Sequence, residues 1–226
     1  MFFPGERTAG GRILGAIYVI GGNGERFRAA GGPPKEVKDR GGHTAEPTRA
    51  GIYILGPKQH VTTFSWPNST IPWGAQLRVT PRGEVEFKGD TGGWALATGP
   101  TGVVTQAWLA FNSRGKEKVP LAQVQAQIHE EFFVPGTDRL RSTTWQLNDF
   151  GVWGWNLRQN GKPTGFYIHT TVDDESDTAR GLFIRLANSH GCIHVVPAER
   201  DRMIAAGYLK EGIELQVRSY NETGPP

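Results

Sequence analysis

The chain has 226 residues, a length that fits one large or two small domains. A net charge of only +3, without a basic stripe, leaves no basis for nucleic-acid binding. A single cysteine excludes an intramolecular disulfide, and no apolar run approaches the ~18 residues of a membrane span.

Abundant glycine and proline, without a repeat, indicate short strands joined by many turns. The apolar segment 13–20, the turn 21–24 and the segment 25–29 predict a β-hairpin. Further strands are predicted, in chain order, at 51–55, 61–66, 77–79, 84–87, 166–170, 181–186 and 213–218. The strand count indicates a mainly β fold.

Two helices are predicted. The first covers residues 120–133, where Pro120 suits the first turn. Its apolar residues recur at helical spacing: Leu121, Val124, Ile128 and Phe132. The second covers residues 197–206 and has Gly207 just beyond its end. The acidic segment 172–178 is interpreted as a solvent-exposed loop.

Chemistry is concentrated in the segment Ser189-His190-Gly191-Cys192-Ile193-His194. A cysteine beside histidines in a glycine-containing turn can be activated as a thiolate nucleophile. Gly191 permits a close backbone approach, and backbone N–H groups of such a turn can face a developing oxyanion. The alternative is a buried structural thiol that takes no part in chemistry.

A candidate base lies 23 residues earlier, at His169. In a strand over 166–170, Phe166 and Ile168 point to one face, while Tyr167 and His169 point to the other. The first face is expected in the core and the second in a cleft.

The pattern His169 … Ser189-His190-Gly191-Cys192-Ile193 resembles the signature of the L,D-transpeptidase (YkuD-like) catalytic domain. Residues 48–53 resemble the early Thr-Pro-x-Gly-x-aromatic strand of that family, with Arg49 in place of proline. Residues 209–217 resemble its closing strand. Only the Ser-His-Gly-Cys box is highly specific. His194 stands where many members have Arg or Asn.

The resemblance implies an L,D-transpeptidase-like β-sandwich with a few short helices. It implies one catalytic domain over residues 1–226 with a core at about 13–218. Residues 89–150 are interpreted as an insert or lid beside the substrate groove. Three tryptophans are candidates for its wall: Trp94, Trp108 and Trp145.

The implied substrate is the stem peptide of peptidoglycan, without a metal or cofactor. Cys192 attacks the carbonyl of the third residue and expels the terminal D-alanine, with His169 as base and the Thr170 carbonyl orienting its ring. Backbone N–H groups of His190, Gly191 and Cys192 are expected to hold the oxyanion. The thioester is resolved by a stem amine, by water or by a free D-amino acid, and carbapenems are expected to acylate the thiol.

The remaining residues of the site have more modest expected roles. Ser189 is expected to hydrogen-bond the turn, and His190 to hold the loop. Tyr167 and His194 are expected to contact substrate. A zinc site formed by His169, His190, His194 and Cys192 is disfavoured because the spacing fits no closed zinc motif.

The substrate implies action in the periplasm or the extracellular cell envelope, yet the sequence begins without a signal peptide. Specialised secretion as an antibacterial wall-targeting effector, with an immunity protein as partner, is one interpretation. A leader removed before the first residue is another. A catalytically silent wall-binding module is a third alternative.

Overall fold

The computed structural model describes residues 1–6, 15–21, 24–38, 44–62, 67–113, 117–146 and 150–225. The protein is mainly β, with 29% strand and 21% helix, which confirms the predicted class at this level. Eight of the strands make one barrel-like sheet, so the finer prediction of a β-sandwich is not confirmed.

The strands, in chain order, are β1 (Phe2–Phe3), β2 (Ala16–Tyr18), β3 (Arg26–Ala30), β4 (Val37–Lys38), β5 (Thr44–Ala45), β6 (Gly51–Gln59), β7 (Leu77–Val79), β8 (Val85–Lys88), β9 (Trp94–Leu96), β10 (Gly154–Gln159), β11 (Lys162–His169), β12 (Ile193–Val195) and β13 (Glu214–Val217). The barrel closes in the order β1-β13-β6-β10-β11-β12-β3-β2. Most neighbours are antiparallel, whereas β11 pairs with β12, and β1 with β13, in parallel.

The helices are α1 (Val103–Asn112), α2 (Leu121–Phe132), α3 (Val172–Ala179) and α4 (Pro197–Ala205), with a short 3-10 turn at Pro67–Ser69. In the described part of the chain, none of these helices has the length and apolarity needed to cross a membrane.

The chain divides into two compact units. The first consists of Met1–Gln59 and Trp153–Pro226 and contains the barrel; the second is His60–Val152. The second unit thus begins well before the insert predicted at 89–150. Whether 1–226 acts as a single catalytic domain stays a prediction.

The second unit has its own core between the sheet β7–β9 and helices α1 and α2. Trp145 is buried in that core and packs against Phe132, with ring centroids 5.0 Å apart. Trp108 packs against the same core, whereas Trp94 is partly exposed. Of the three tryptophans predicted to line a groove, Trp145 therefore serves the core of this unit.

The core of the first unit is made by the inward-facing residues of the barrel strands. Trp155, Ile168, Ile193 and Leu215 belong to it, and α4 adds Met203. Such alternation is what period-two strand patterns produce. The alternation therefore determines which side chains of β11 and β12 point away from the core.

Several predicted elements are confirmed. Strands β2 and β3 form the predicted hairpin, although residues 13–14 and 22–23 lie outside the described residues. Strands β7, β8 and β13 and helices α2 and α4 lie where periodicity predicts them. In α2, the predicted stripe is buried except at Leu121, which is partly exposed.

The predicted end of the strand at residue 55 is wrong, because β6 continues through Gly56-Pro57 to Gln59. The register between β6 and β10 shifts at this point: Leu55 pairs with Leu157, but Lys58 pairs with Trp155. A bulge tolerates proline because its residues need not donate to the ladder. Residues 61–62 are not in a strand, and the rest of the predicted strand 61–66 lies outside the described residues.

Two predictions for the segment between β11 and β12 are also wrong. Residues 181–186 form no strand, although Ile184 is buried in a small apolar cluster. The acidic segment 172–178 is helix α3 and not a loop. Thr171 accepts a hydrogen bond from the Asp174 N–H at 3.2 Å, and acidic residues in the first turn complement the helix dipole.

We predict that Leu215→Ala lowers the free energy of unfolding by about 2–5 kcal/mol, because it opens a cavity in the barrel core. Ile213→Ala, at a partly exposed neighbour, is the matched control and should change it by about 0.5 kcal/mol or less. Urea denaturation of both variants measures the difference. Equal losses would contradict the assignment of Leu215 to the core.

Candidate active site

The parallel pairing of β11 with β12 brings the predicted site residues together. Its register places Ile168 beside Ile193, and His169 beside His194. Both isoleucines point into the barrel core, so the two histidines point to the opposite face. The imidazole rings meet edge to face, with centroids 4.6 Å apart.

Cys192 joins this face because it lies two residues before His194. Tyr167 joins it in the same way, two residues before His169. The Tyr167 backbone N–H forms a hydrogen bond with the Cys192 sulfur, which ties Cys192 to β11. Phe166 lies on the core side, as the alternation in the sequence predicts.

The His169 ring is fixed by the next residue. Its Nδ1 lies 2.7 Å from the Thr170 carbonyl oxygen. A carbonyl can only accept, so Nδ1 carries the proton and donates it. The remaining nitrogen, Nε2, is then the one with a lone pair for a thiol proton. The Thr170 carbonyl thus orients the His169 ring, as the family resemblance implies.

Burial keeps both Cys192 and His169 uncharged at neutral pH. It lowers the pKa of His169 to about 4, against a smaller opposing effect of the Thr170 carbonyl. It also raises the pKa of the Cys192 thiol to about 11, although the Tyr167 N–H opposes this. At neutral pH the site therefore holds a thiol and a neutral imidazole, not a preformed thiolate–imidazolium pair.

The other two histidines of the motif differ in environment. His194 is enclosed, and burial, together with the neighbouring His169 and His190, holds its pKa well below the usual range. His190 is exposed. In the described ranges, no group of three or more His, Cys, Asp or Glu side chains is arranged to hold a metal ion.

Ser189 shapes the turn that carries Cys192. Its hydroxyl donates to the Cys192 carbonyl and accepts from the Gly191 N–H at 3.0 Å. Its own N–H donates to the Gly31 carbonyl at 2.9 Å. The predicted role of Ser189 in hydrogen-bonding the turn is confirmed.

Gly191 is required by its geometry. Its φ is +122°, and a Cβ there would lie 2.6 Å from the Phe166 ring. Any other residue would be strained and would displace the ring. The Gly191 N–H was expected to bind the oxyanion, but in this structure it donates to the Ser189 hydroxyl instead. The role of Gly191 that the geometry supports is to give the turn its shape.

Thr48 fastens the same turn and Tyr220 supports Thr48, and neither residue was predicted to belong to the site. The Thr48 hydroxyl donates to the Gly191 carbonyl at 2.9 Å and accepts from the Gly32 N–H at 2.9 Å. The Tyr220 hydroxyl donates to the Gly32 carbonyl at 2.8 Å and accepts from the Thr48 N–H. Its position at the start of the family-like segment 48–53 is the sequence feature that could have identified Thr48 as part of the site.

An acidic side chain, Glu46, lies beside the turn that carries Cys192. Glu46 packs against Gly191, and its charge contributes to the raised pKa of Cys192. Glu46 is paired with the exposed Arg49 at 2.7 Å, and the Arg49 guanidinium lies 5.7 Å from the Phe166 ring centroid. This ion pair therefore lies at the edge of the candidate site.

A cavity of about 540 Å³ in the first unit lies away from this chemistry. Its walls include Ile17, Leu55 and Leu215, and Ile168 contributes from β11. Because Ile168 and His169 point to opposite faces of the strand, this cavity is not the candidate active site.

Comparisons of the chain with protein-family models, with curated proteins and with solved structures find no match. Function is therefore inferred from the geometry of this site and from the sequence motif.

We predict that alkylation of Cys192 by iodoacetamide accelerates with a midpoint near pH 11, above the ordinary thiol value of 9.0, because burial disfavours the thiolate. The chain has one cysteine, so the reaction reports this thiol alone. Glu46→Gln should shift the midpoint downward by removing a nearby negative charge. A rate that levels off below pH 8 would contradict the neutral resting state.

Proposed function

We propose that the protein is a cysteine-dependent acyltransferase of the L,D-transpeptidase type that acts on peptidoglycan stem peptides. The observation that carries this is the β11–β12 register, which gathers Cys192, Tyr167, His169 and His194 on one face. The hydrogen bond between His169 Nδ1 and the Thr170 carbonyl supports His169 as base. The Ser-His-Gly-Cys motif supports the choice of family and substrate.

The first half-reaction moves one proton and exchanges one bond. The Cys192 sulfur attacks the carbonyl carbon of the third stem residue while its proton passes to His169 Nε2. Because the resting pair is neutral, the thiolate forms during the attack and not before it. His169 then donates that proton to the departing D-alanine nitrogen, the C–N bond breaks, and a thioester remains.

The second half-reaction releases the acyl group. An acceptor attacks the thioester, His169 takes the acceptor's proton, and the proton returns to the Cys192 sulfur as the C–S bond breaks. A stem amine gives a 3-3 cross-link, water gives L,D-carboxypeptidation, and a D-amino acid gives exchange. All three share one acyl-enzyme, so the acceptor alone decides the product.

The oxyanion of both steps needs donors other than the Gly191 N–H, which donates to Ser189. We assign this role to the backbone N–H of Cys192, on the remaining part of the same turn. Preorganised donors of this kind are commonly the largest single contribution to acyl transfer. The fastening of the turn by Thr48 and Ser189 supplies that preorganisation.

The substrate places the site of action in the cell envelope. Expression of the protein in a bacterial periplasm, beside Cys192→Ala, should therefore change the muropeptide profile only for the intact nucleophile. New 3-3 dimers, shortened stems or exchanged terminal residues would each identify the acceptor. Identical profiles for both proteins and the empty vector would refute action on peptidoglycan.

We predict that His169→Ala slows acylation of Cys192 by a carbapenem by about 100-fold or more, because general-base catalysis typically contributes that much. Mass spectrometry of the intact protein over time measures the rate. His129→Ala on α2, which removes a histidine stacked on Phe133 in the second unit, is the control and should keep the original rate. Acylation of His169→Ala at the original rate would remove His169 from the base role.

A further inference from the structure

A buried ion pair contacts the residue that orients the candidate base. Glu175 of α3 and Arg200 of α4 form this pair, and both side chains are less than a tenth exposed. The Thr170 hydroxyl donates to the same Glu175 oxygen that Arg200 binds. Arg200 also reaches the Thr170 hydroxyl at 3.4 Å. The ion pair and Thr170 thus form one connected cluster.

The cluster is built from three separate elements. Thr170 directly follows β11, Glu175 lies in the first turn and a half of α3, and Arg200 lies in α4. Asp201 completes the coordination of Arg200 by accepting from its Nε at 2.8 Å. Thr170 is fully buried, so its hydroxyl makes its hydrogen bond inside the protein.

Such a pair is costly to bury. Removing two charges from water carries a penalty that their mutual attraction offsets only with good geometry, and apolar residues of similar volume commonly serve stability equally well. A buried pair that also holds a neighbouring hydroxyl fixes a specific arrangement. Here the residue held is the one whose carbonyl fixes the tautomer of His169.

We infer that Glu175 and Arg200 are positioning residues, which hold Thr170 so that its carbonyl keeps the proton of His169 on Nδ1. The step from the ion pair to His169 runs through a single residue. The pair fixes the Thr170 side chain, and Thr170 lies between the end of β11 and the N-cap residue Thr171 of α3. With both ends held, the Thr170 carbonyl keeps its direction towards the imidazole.

The catalytic consequence rests on the proposed function. If the Thr170 carbonyl turns away, Nδ1 loses its acceptor and a share of the protein adopts the Nε2–H tautomer. That tautomer presents a proton where a lone pair must receive the thiol proton. Loss of the pair should therefore slow acylation of Cys192 without removing any atom that touches substrate.

The test uses histidine ring ¹⁵N–¹H correlation spectra of the free protein, which distinguish the two tautomers of His169. The original protein should show Nδ1–H alone. Glu175→Ala and Arg200→Gln should show a second population with Nε2–H and acylate about 10- to 100-fold more slowly with a carbapenem. Glu175→Gln keeps an acceptor oxygen for Thr170 and should restore the single tautomer.

Matched controls lie on the same helices. Asp177→Asn removes a carboxylate from the exposed pair with Arg180 on α3, and Arg202→Gln removes an exposed guanidinium from α4. Both should keep the original tautomer and acylation rate. A tautomer change in these controls would attribute the effect to general disturbance of the helices and overturn the inference.

If Glu175→Ala fails to fold, Thr170→Val decides the question, since it removes only the hydroxyl and keeps the ion pair and the carbonyl. An unchanged tautomer and rate in a folded Thr170→Val or Glu175→Ala would overturn the inference. A shifted tautomer in a protein whose Cys192 is never acylated would refute the proposed function and retain the positioning role. The two failures are therefore distinguishable.

Discussion

The parallel pairing of β11 with β12 is the constraint on which the site depends. Antiparallel partners cover the other edges of these strands, with β10 beside β11 and β3 beside β12. The isoleucines of both strands are held in the barrel core, so a slip by one residue would move His169 into the core and Ile168 to the site. The hydrophobic core therefore enforces the register that gathers the chemistry.

Burial on that face determines the protonation of the site. Enclosure favours the neutral forms of both Cys192 and His169, with pKa values of about 11 and about 4. Linkage gives the sign of the effect on stability. Below the ordinary pKa of 6.5, an unfolded His169 binds a proton that the folded protein excludes, so stability is lost as pH falls towards 4. For Cys192, stability is lost as pH rises from 9 towards 11.

The turn that carries Cys192 is held by hydrogen bonds from distant parts of the chain. Thr48 lies 143 residues before Gly191, and Tyr220, which binds the Thr48 N–H, lies 172 residues after Thr48. Their bonds satisfy buried backbone groups that would otherwise carry a desolvation penalty, and they fix the turn with its glycine at positive φ. Ser189 closes the turn locally, and the Glu175–Arg200 ion pair contacts Thr170, whose carbonyl binds His169.

The sequence alone determined the local features: the alternation in β11, the amphipathic helix α2, the proline-initiated helix α4 and the motif around Cys192. These depend on neighbours a few residues apart. Only the tertiary structure decided the remaining features. These are the closure of the barrel, the continuation of β6 through Gly56-Pro57, the burial of Glu175 in an acidic helix, the hydrogen bond from Thr48 to Gly191 and the neutral state of Cys192. Each depends on groups far apart in sequence, whose contacts and exclusion of water exist only after folding.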